Sequence, residues 1–271
     1  MSRDHALRLG FIALNDAATM IVAKAQGYFA DEGLSVTLSR EVSWATVRDK
    51  IKVGALDGAH MLAPTALAVS LGVGGDEPTP LLAPFALNLN GPAITLSSHL
   101  ADVIGPGPTA EGLARLIARR RDEGASALTL AVVFPFSTHN YLLRDWLARS
   151  GIDPDRDVRL TVAPPSRMTE LLAGGVVEGF CVTEPWNAAA GGGLGGRVRT
   201  STAVGRTFVR TRTCRRKPRG CRDSCARGLI ARILCVAAGF GAQTVRISRP
   251  SRTFFCTAHR RACDRTAPMT H

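Results

Sequence analysis

Short apolar runs and segments of helical spacing alternate along the first 190 residues of the chain. Short runs rich in β-branched side chains are typical of buried strands, and apolar positions three and four apart are typical of helices. The predicted strands are residues 7–14, 34–39, a short run within 56–64, 81–90, 93–97, 128–134, 158–162 and 180–182, and the predicted helices are residues 17–30, 44–54, 65–71, 110–121, 138–150 and 166–174. Strands that alternate with helices in this way indicate parallel sheets in an α/β fold.

Residues 128–151 form the clearest strand, break and helix in the pattern. Pro135 closes the strand, and Ser137, Thr138 and His139 stand where the helix begins. Free backbone N–H groups and the positive end of the helix dipole meet at such a position, and an open α/β sheet has its ligand crevice there. The position therefore favours a small anion. Taken alone, hydroxyl residues before a helix are more often caps than ligands.

A second helix begins in the same way. Ser43 is predicted to cap it, which puts Trp44 in the first turn, and Asn15 or Asp16 is predicted to cap the first helix of the chain. Two helix N-termini from two lobes, carrying Trp44 and His139, would face each other across a cleft, a common place for a small-ligand site. The alternative for Trp44 is core packing, which is the more frequent role of a helical tryptophan.

Charge and cysteine content change abruptly near residue 190. The whole chain has a net charge of +12 and is 45% hydrophobic, enough for one large core or two modest ones. Residues 1–190 carry 16 Lys and Arg against 20 Asp and Glu, whereas residues 191–271 carry 18 against 2. Of those 18 basic residues 17 are arginine, and six of the seven cysteines lie in the same segment. The basic charge is therefore a property of the tail and not of the α/β part.

The tail has three interpretations. A zinc site requires cysteines paired at regular spacing, whereas the gaps between Cys214, Cys221, Cys225, Cys235, Cys256 and Cys263 follow no pattern, so we predict no metal site. The basic run 211–222 would neutralise phosphates, but it lacks interleaved aromatic residues, so we predict no specific nucleic-acid binding. We favour a tail that is disordered or translated out of frame, because a shifted GC-rich gene yields Arg, Gly, Pro, Cys and Thr in excess.

No apolar run in the sequence is long enough to span a membrane. The first ten residues, MSRDHALRLG, include Asp4 and lack the apolar stretch of a secretory signal. We therefore expect a cytoplasmic location, provided that this N-terminus is the native one.

Five segments of the chain, taken in order, resemble the nitrate-binding protein family that includes NrtA, CmpA and NasS. They are FIALNDAATMIVAKAQGYFADEGL, VSWATVRDKI, LDGAHMLAP, FPFSTHNYLLRDWLARSGIDPDRDV and GFCVTEPWN, which together cover about residues 7–187. The set is specific, although no segment is specific alone. The resemblance implies a type II periplasmic-binding fold, in which two α/β lobes, residues 1–92 and 93–187, close on a ligand. The basic tail, residues 188–271, then stands where the family's chain returns to the first lobe.

The resemblance also implies an anion site. Trp44 and the backbone of Ala45 match the family's aromatic and amide contacts to the anion, and His139 matches its second-lobe histidine. Thr138, beside His139 at the helix N-terminus, completes the candidates that the motifs supply.

Two of the family's ligand positions are altered in this sequence. An amide side chain is expected about where Pro92 stands, which cannot supply it, so Asn90 is the substitute candidate. The family's cationic lysine comes later in the chain, where this sequence no longer follows the family. Because a desolvated anion without a charge partner is unfavourable, we expect weak nitrate binding or none. Glu184 and Trp186, in the EPWN turn, are expected to have a structural or hinge role.

The function that the resemblance implies is binding of nitrate or nitrite by a cytoplasmic sensor of nitrate assimilation. In such a sensor the anion-free protein holds an RNA-binding antiterminator partner and the anion releases it, a shift between two lobe arrangements. The alternative is the substrate-binding component of a nitrate or bicarbonate ABC transporter. Enzymes of pyrimidine synthesis share the fold, but no catalytic constellation is apparent near His139, so we predict a binding protein without a cofactor.

The hypothesis of a shifted reading frame makes a prediction at the level of the gene. Translation of the two other frames downstream of about codon 190 is expected to restore acidic, amphipathic helices and a lysine on a loop. Resequencing the gene around codons 185–195 provides the measurement. If neither frame yields such a sequence, the basic tail is a genuine segment of the protein.

Overall fold

Two β-sheets, each covered by helices, form the part of the chain that the structure describes. The computed structural model describes residues 6–84, 86–89, 91–105, 110–192, 196–200 and 210–216. The first sheet has the strand order β2-β1-β3-β11-β4, with β5 paired to β11, and the second has the order β10-β6-β9-β7-β8. The first lobe contains β1 (Leu7–Ile12), α1 (Ala18–Ala25), α2 (Tyr28–Asp31), β2 (Val36–Glu41), α3 (Trp44–Lys52), β3 (Gly58–Met61), α4 (Ala63–Leu71), β4 (Leu81–Leu82) and β5 (Ala86–Leu89).

The second lobe follows directly in the chain. It contains β6 (Pro92–Ser97), α5 (Ser98–Ile104), α6 (Glu111–Asp122), β7 (Leu128–Val132), α7 (Thr138–Ala148), β8 (Val158–Val162), α8 (Met168–Ala173), β9 (Gly179–Thr183) and α9 (Trp186–Gly191), and β10 (Gly196–Thr200) and β11 (Arg210–Arg216) come last. Within the described residues, no helix is long and apolar enough to cross a membrane.

The element boundaries differ from the predicted ones where the backbone geometry changes. The sequence predicts one helix over residues 17–30, and the structure divides it into α1 and α2 at Gly27. Gly27 has a φ of 79°, a left-handed conformation that ends a helix and that glycine adopts without strain. The predicted strand 81–90 is likewise divided into β4 and β5. The predicted helix 110–121 is present as α6, and Thr109, the residue that the sequence predicts as its cap, lies outside the described residues.

Strand direction brings the ends of several strands to one edge of each sheet. β1 pairs in parallel with β2 and with β3, and β7 pairs in parallel with β8 and with β9. The carboxyl ends of parallel strands lie at the same edge, where the following loops and helix N-termini can converge. Each lobe therefore presents one edge suited to ligand binding.

Two strands in the basic segment are a finding that the sequence does not predict. β10 pairs antiparallel with β6, from Gly196 opposite Ser97 to Thr200 opposite Ala93, and so extends the second sheet. β11 pairs antiparallel with β3, and with β4 and β5, and so lies inside the first sheet. Ladder pairing uses backbone groups, which any non-proline sequence supplies, so the loss of apolar periodicity does not prevent it. The prediction of a disordered tail also covers residues 193–195, 201–209 and 217–271, which lie outside the described residues.

The largest apolar core lies between the two lobes. It contains buried residues of the first lobe, such as Trp44 and Met61, and of the second lobe, such as Phe134 and Phe180. A second core belongs to the second lobe, around Trp146 and its neighbours, and a small third core packs under β1 and β2. A shared core of this kind shows that the lobes are closed on each other, because an open cleft would expose these side chains to water.

A buried polar network fixes the last strand of the second lobe to α9. Asn187 is fully buried, its Oδ1 accepts a hydrogen bond from the Thr95 hydroxyl at 2.8 Å, and its Nδ2 donates to the Val182 carbonyl at 2.8 Å. Thr95 lies on β6 and Val182 on β9. The side chain therefore joins two strands and the helix after them.

This network predicts different effects for two asparagines. Asn187→Ala leaves the Thr95 hydroxyl and the Val182 carbonyl without partners in a dry environment, so the free energy of unfolding should fall by about 2 kcal/mol. Asn140→Ala is the matched control, because Asn140 Nδ2 donates to the Pro135 carbonyl in an exposed bond of 2.7 Å that water can replace. Urea denaturation measures both, and equal losses would contradict the structural role of Asn187.

Candidate functional site

Trp44 reaches the space between the lobes because α3 begins directly after β2. The Ser43 side chain caps the helix by accepting a hydrogen bond from the Thr46 backbone N–H at 3.1 Å. Trp44 is the first residue of α3, and its side chain is fully buried in the core shared by the lobes. The predicted cap and the predicted position of Trp44 are both present.

His139 is placed by an equivalent arrangement in the second lobe. Ser137 caps α7 by accepting from the Asn140 backbone N–H at 3.0 Å, and Thr138 and His139 are the first two residues of the helix. Both side chains are buried. His139 Nε2 lies 2.9 Å from the Thr183 hydroxyl, at the end of β9.

A second buried histidine and a carboxylate lie close to Trp44. His60 is fully buried at the end of β3, and its ring meets the Trp44 indole edge-on, with 5.1 Å between ring centroids. His60 Nε2 lies 3.6 Å from Asp16 Oδ2, and Asp16 is itself buried. The charges of Asp16 and His60 act on His139 from the other lobe. These side chains therefore form one cluster across the cleft.

All members of the cluster stand at carboxyl ends of strands. Asp16 follows β1, Trp44 follows β2 and His60 lies in β3, and these strands are neighbours in the first sheet. His139 follows β7 and Thr183 ends β9, which are neighbours in the second sheet. These edges of the two lobes thus face each other, as the helix N-termini predict.

Several polar atoms in and around this cluster are buried without a hydrogen-bond partner among the described residues. They are Asp16 Oδ1, Thr19 Oγ1, Trp44 Nε1, both ring nitrogens of His60 and His139 Nδ1. Buried polar atoms in folded proteins almost always have a partner, and each one left without a partner costs about 1–3 kcal/mol. So many unpaired atoms at one interlobe site indicate a binding site for a polar ligand.

Burial controls the protonation of His139. Desolvation by burial, opposed by the negative charge of Asp16 and reinforced by His60, lowers the pKa of His139 to about 4. His139 is therefore neutral at pH 7. No lysine or arginine of the described residues contributes to its pKa, and the described residues include no cluster of three or more His, Cys, Asp and Glu that could hold a metal ion.

The other candidate residues differ in position. Ala45 is half-buried beside the interlobe core, so its backbone lies near Trp44. Asn90 lies outside the described residues. Gly91, the next residue, approaches Thr183 closely enough that a Cβ there would be 3.1 Å from the Thr183 methyl group. Gly91 therefore lies beside Thr183, the hydrogen-bond partner of His139.

Sequence reasoning did not identify Asp16, His60 and Thr183 as site residues. The prediction that Asn15 or Asp16 caps the first helix is wrong, because both lie within a 3-10 helix, Asn15–Ala17, that precedes α1. The Asp16 carboxylate faces His60 instead. His60 stands in the quoted segment LDGAHMLAP at the end of a predicted strand. The signal that could have revealed His60 is its position near the carboxyl end of a predicted strand, since Trp44 also follows the carboxyl end of a strand and these ends meet at one edge of a parallel sheet.

The EPWN turn connects the second lobe to the first. The Glu184 carbonyl accepts from the Asn15 backbone N–H at 2.9 Å, and Trp186 Nε1 donates to the Ala13 carbonyl at 3.2 Å. Asn15 and Ala13 follow β1. The turn thus contacts the first lobe through its backbone and its indole, which suits a structural role.

Two further contacts join the lobes. The Thr65 hydroxyl donates to the Phe136 carbonyl at 2.6 Å, and the Arg48 guanidinium lies 5.5 Å from the centroid of the Phe134 ring. These contacts join α3 and α4 of the first lobe to the loop between β7 and α7. They can form only when the cleft is closed.

Residues 2–204 match the NMT1-like family. The chain belongs to the NMT1-like family. Among its relatives, the nitrate import ATP-binding protein NrtC of Synechocystis sp. PCC 6803 is 44% identical over 185 residues, which are 68% of this chain and 27% of that protein. The nitrate/nitrite binding protein NrtA of Synechococcus elongatus is 38% identical over 188 residues, 66% of this chain and 42% of that protein.

Solved structures confirm the predicted two-lobed, type II periplasmic-binding fold of this NMT1-like chain. The crystal structure of the periplasmic nitrate-binding protein NrtA from Synechocystis PCC 6803 matches with a TM-score of 0.76 and 29% identity, over 88% of this chain and 61% of that one. The aliphatic sulphonate binding protein SsuA from Escherichia coli shares the fold, with a TM-score of 0.59 and 16% identity. The chain spans less than half the length of the curated relatives it matches.

The buried state of His139 makes the stability of the NMT1-like chain depend on pH. Below pH 6.5 the unfolded chain protonates this histidine, whereas the folded chain does so only near its pKa of about 4. The unfolded state binds more protons between these values, so the free energy of unfolding should fall by about 3 kcal/mol as the pH is lowered through this window.

Urea denaturation between pH 4.5 and 7.5 measures this effect. His139→Gln should flatten the pH dependence, because glutamine does not titrate. His99→Gln is the matched control, since His99 is exposed on α5, and should keep the slope. If the free energy of unfolding of His139→Gln still depends on pH in this way, another group causes the effect.

Proposed function

We propose that the chain binds a small planar oxyanion, nitrate or nitrite, between its two lobes. The observation that carries the proposal is the pair of unpartnered groups, Trp44 Nε1 and His139 Nδ1, contributed by opposite lobes to one closed and buried site. An indole N–H is a donor only, and a neutral imidazole that accepts from the Thr183 hydroxyl at Nε2 has its N–H at Nδ1. Two donors converging from two lobes suit a ligand whose oxygens are all acceptors.

The relatives support nitrate within the class of small oxyanions. Two proteins named for nitrate, the import component NrtC and the binding protein NrtA, match about two thirds of this chain. Bicarbonate is the competing anion, because a bicarbonate transport ATP-binding protein, CmpC of Synechocystis, is 42% identical over 188 residues. The proposal is one of binding, without catalysis or a cofactor.

The affinity that we propose for nitrate at neutral pH is weaker than micromolar. A buried anion is strongly stabilised by a fixed positive charge, and among the described residues neither lysine nor arginine acts on His139. Neutral donors alone recover only part of the anion's hydration energy.

Two biological roles use the same binding event. The names of the relatives favour an anion receptor for an ABC-type import system. The role predicted from the sequence, a cytoplasmic nitrate sensor that releases an RNA-binding antiterminator protein when the anion binds, is retained as a proposal. Co-purification with and without nitrate discriminates between them, since the sensor loses its partner when nitrate is added and the receptor does not.

A nitrate titration followed by NMR tests the proposal at the level of single residues. The indole N–H resonance of Trp44 should shift as nitrate is added, because the anion becomes its hydrogen-bond acceptor. Trp44→Phe keeps an aromatic ring but removes the donor, so nitrate affinity should fall by about tenfold or more.

Trp146→Phe is the matched control. Trp146 is equally buried but belongs to the core of the second lobe. Its replacement should leave nitrate affinity unchanged while lowering stability. The proposal fails if no indole resonance responds to nitrate, or if Trp44→Phe binds nitrate as tightly as the unmodified chain.

A further inference from the structure

The proposed ligand carries a negative charge, whereas the unpartnered donors Trp44 Nε1 and His139 Nδ1 are neutral, so the charge of the bound anion requires a partner. Among the described residues, the groups that carry or can acquire charge at this site are Asp16, His60 and His139. Asp16 repels an anion when it is ionised. A positive charge must therefore come from an imidazole if it comes from the described residues of the cluster.

His139 is the imidazole with the geometry to change its protonation state. Its Nε2 is 2.9 Å from the Thr183 hydroxyl, and its Nδ1 has no partner in the described part of the chain. A hydroxyl both donates and accepts, so Thr183 donates to a neutral His139 and accepts from a protonated one without moving. Protonation turns Nε2 into a donor to Thr183 and leaves Nδ1–H as a donor to the ligand.

The elements packed around His139 supply few other charges. Asp16, after β1, and His60, on β3, face it from the first lobe. On β9 the titratable group is Cys181, whose burial raises the pKa of the thiol, so that it stays neutral. The charged residues of α7 form ion pairs at the surface, Arg144 with Asp155 and Asp145 with Arg149, the residue that follows the helix. The described residues of β6, Pro92–Ser97, carry no titratable side chain.

We propose that the cleft takes up a proton together with the anion, and that His139 holds this proton at the interface between the lobes. The inference rests on the proposed function, since it names the charge partner of the same ligand. The proton comes from solvent and adds to Nε2, the unprotonated ring nitrogen of a neutral His139, and the Thr183 hydroxyl changes from donor to acceptor in the same hydrogen bond. The bound anion then lies beside an imidazolium, and the charges of this pair cancel.

The direction of the pH dependence follows from this coupling. In the free chain His139 is neutral above its pKa of about 4. A bound anion stabilises the imidazolium, so the pKa of His139 is higher in the complex. Between the two values binding takes up a proton, and the dissociation constant should fall by about tenfold for each unit by which the pH is lowered. Below the pKa of the free chain the affinity should level off.

Two measurements on the full chain test the proposal. The dissociation constant of nitrate is measured from pH 4.5 to 8 through the Trp44 indole resonance, at constant ionic strength and in cationic buffers that do not compete with the anion. The ring nitrogen resonances of His139 are recorded at pH 6 with and without nitrate. We expect the steep pH dependence and a change of the His139 ring from neutral to imidazolium on binding.

Variants separate this coupling from a general effect of pH. His139→Gln keeps a side-chain donor but does not titrate, so its nitrate affinity should be independent of pH in this range. His99→Gln, at an exposed position on α5, should keep the full dependence. If His139→Gln does not fold, the ring resonances of the unmodified chain still decide the question.

The two proposals fail in different ways. Binding of nitrate with an affinity independent of pH, and a His139 ring that stays neutral in the complex, would overturn the proton coupling and leave the proposed function intact. No response of the Trp44 indole to nitrate at any pH would overturn both.

Discussion

The closed cleft is a compromise between apolar burial and unpaired polar atoms. Trp44, Phe134 and Phe180 bury apolar surface between the lobes, which favours closure. The same closure removes Trp44 Nε1 and His139 Nδ1 from water without giving them partners among the described residues, which opposes it. A ligand with acceptor oxygens removes the penalty only in the closed state. Ligand binding and lobe closure are therefore one equilibrium, and the ligand shifts it by its differential affinity for the two arrangements.

The sequence predicts this architecture well wherever a local rule decides the structure. Apolar periodicity identifies the strands, and the hydroxyls of Ser43 and Ser137 cap α3 and α7 as expected. The caps also predict where Trp44 and His139 stand. By contrast, His60 and Asp16 become neighbours only because β1 and β3 pair in parallel. That pairing is a long-range contact, and no local pattern encodes it.

The basic tail, residues 188–271, also shows the limit of local patterns. Its composition gives no strand periodicity, yet β11 pairs with β3 and with β4 and so lies between them in the first sheet. Backbone N–H and C=O groups are common to every non-proline residue, and the edge of β3 would otherwise lack a neighbour. Strand addition can thus be imposed by an open edge rather than by the added sequence. Composition alone is a weak guide to whether such a segment joins a sheet.

A titratable charge partner has a different consequence from a fixed one. A lysine would stay charged throughout the neutral range and would stabilise the bound anion at every pH in it. A buried histidine is neutral before the ligand arrives, so the empty cleft does not contain an isolated imidazolium, which would be strongly unfavourable there. The empty site therefore avoids the cost of a buried, unpaired charge, whereas the filled site requires a proton from solvent. Closure of the lobes then responds to the product of anion and proton activity rather than to the anion alone, and this holds whether the closed form is read by a transporter or by a regulatory partner.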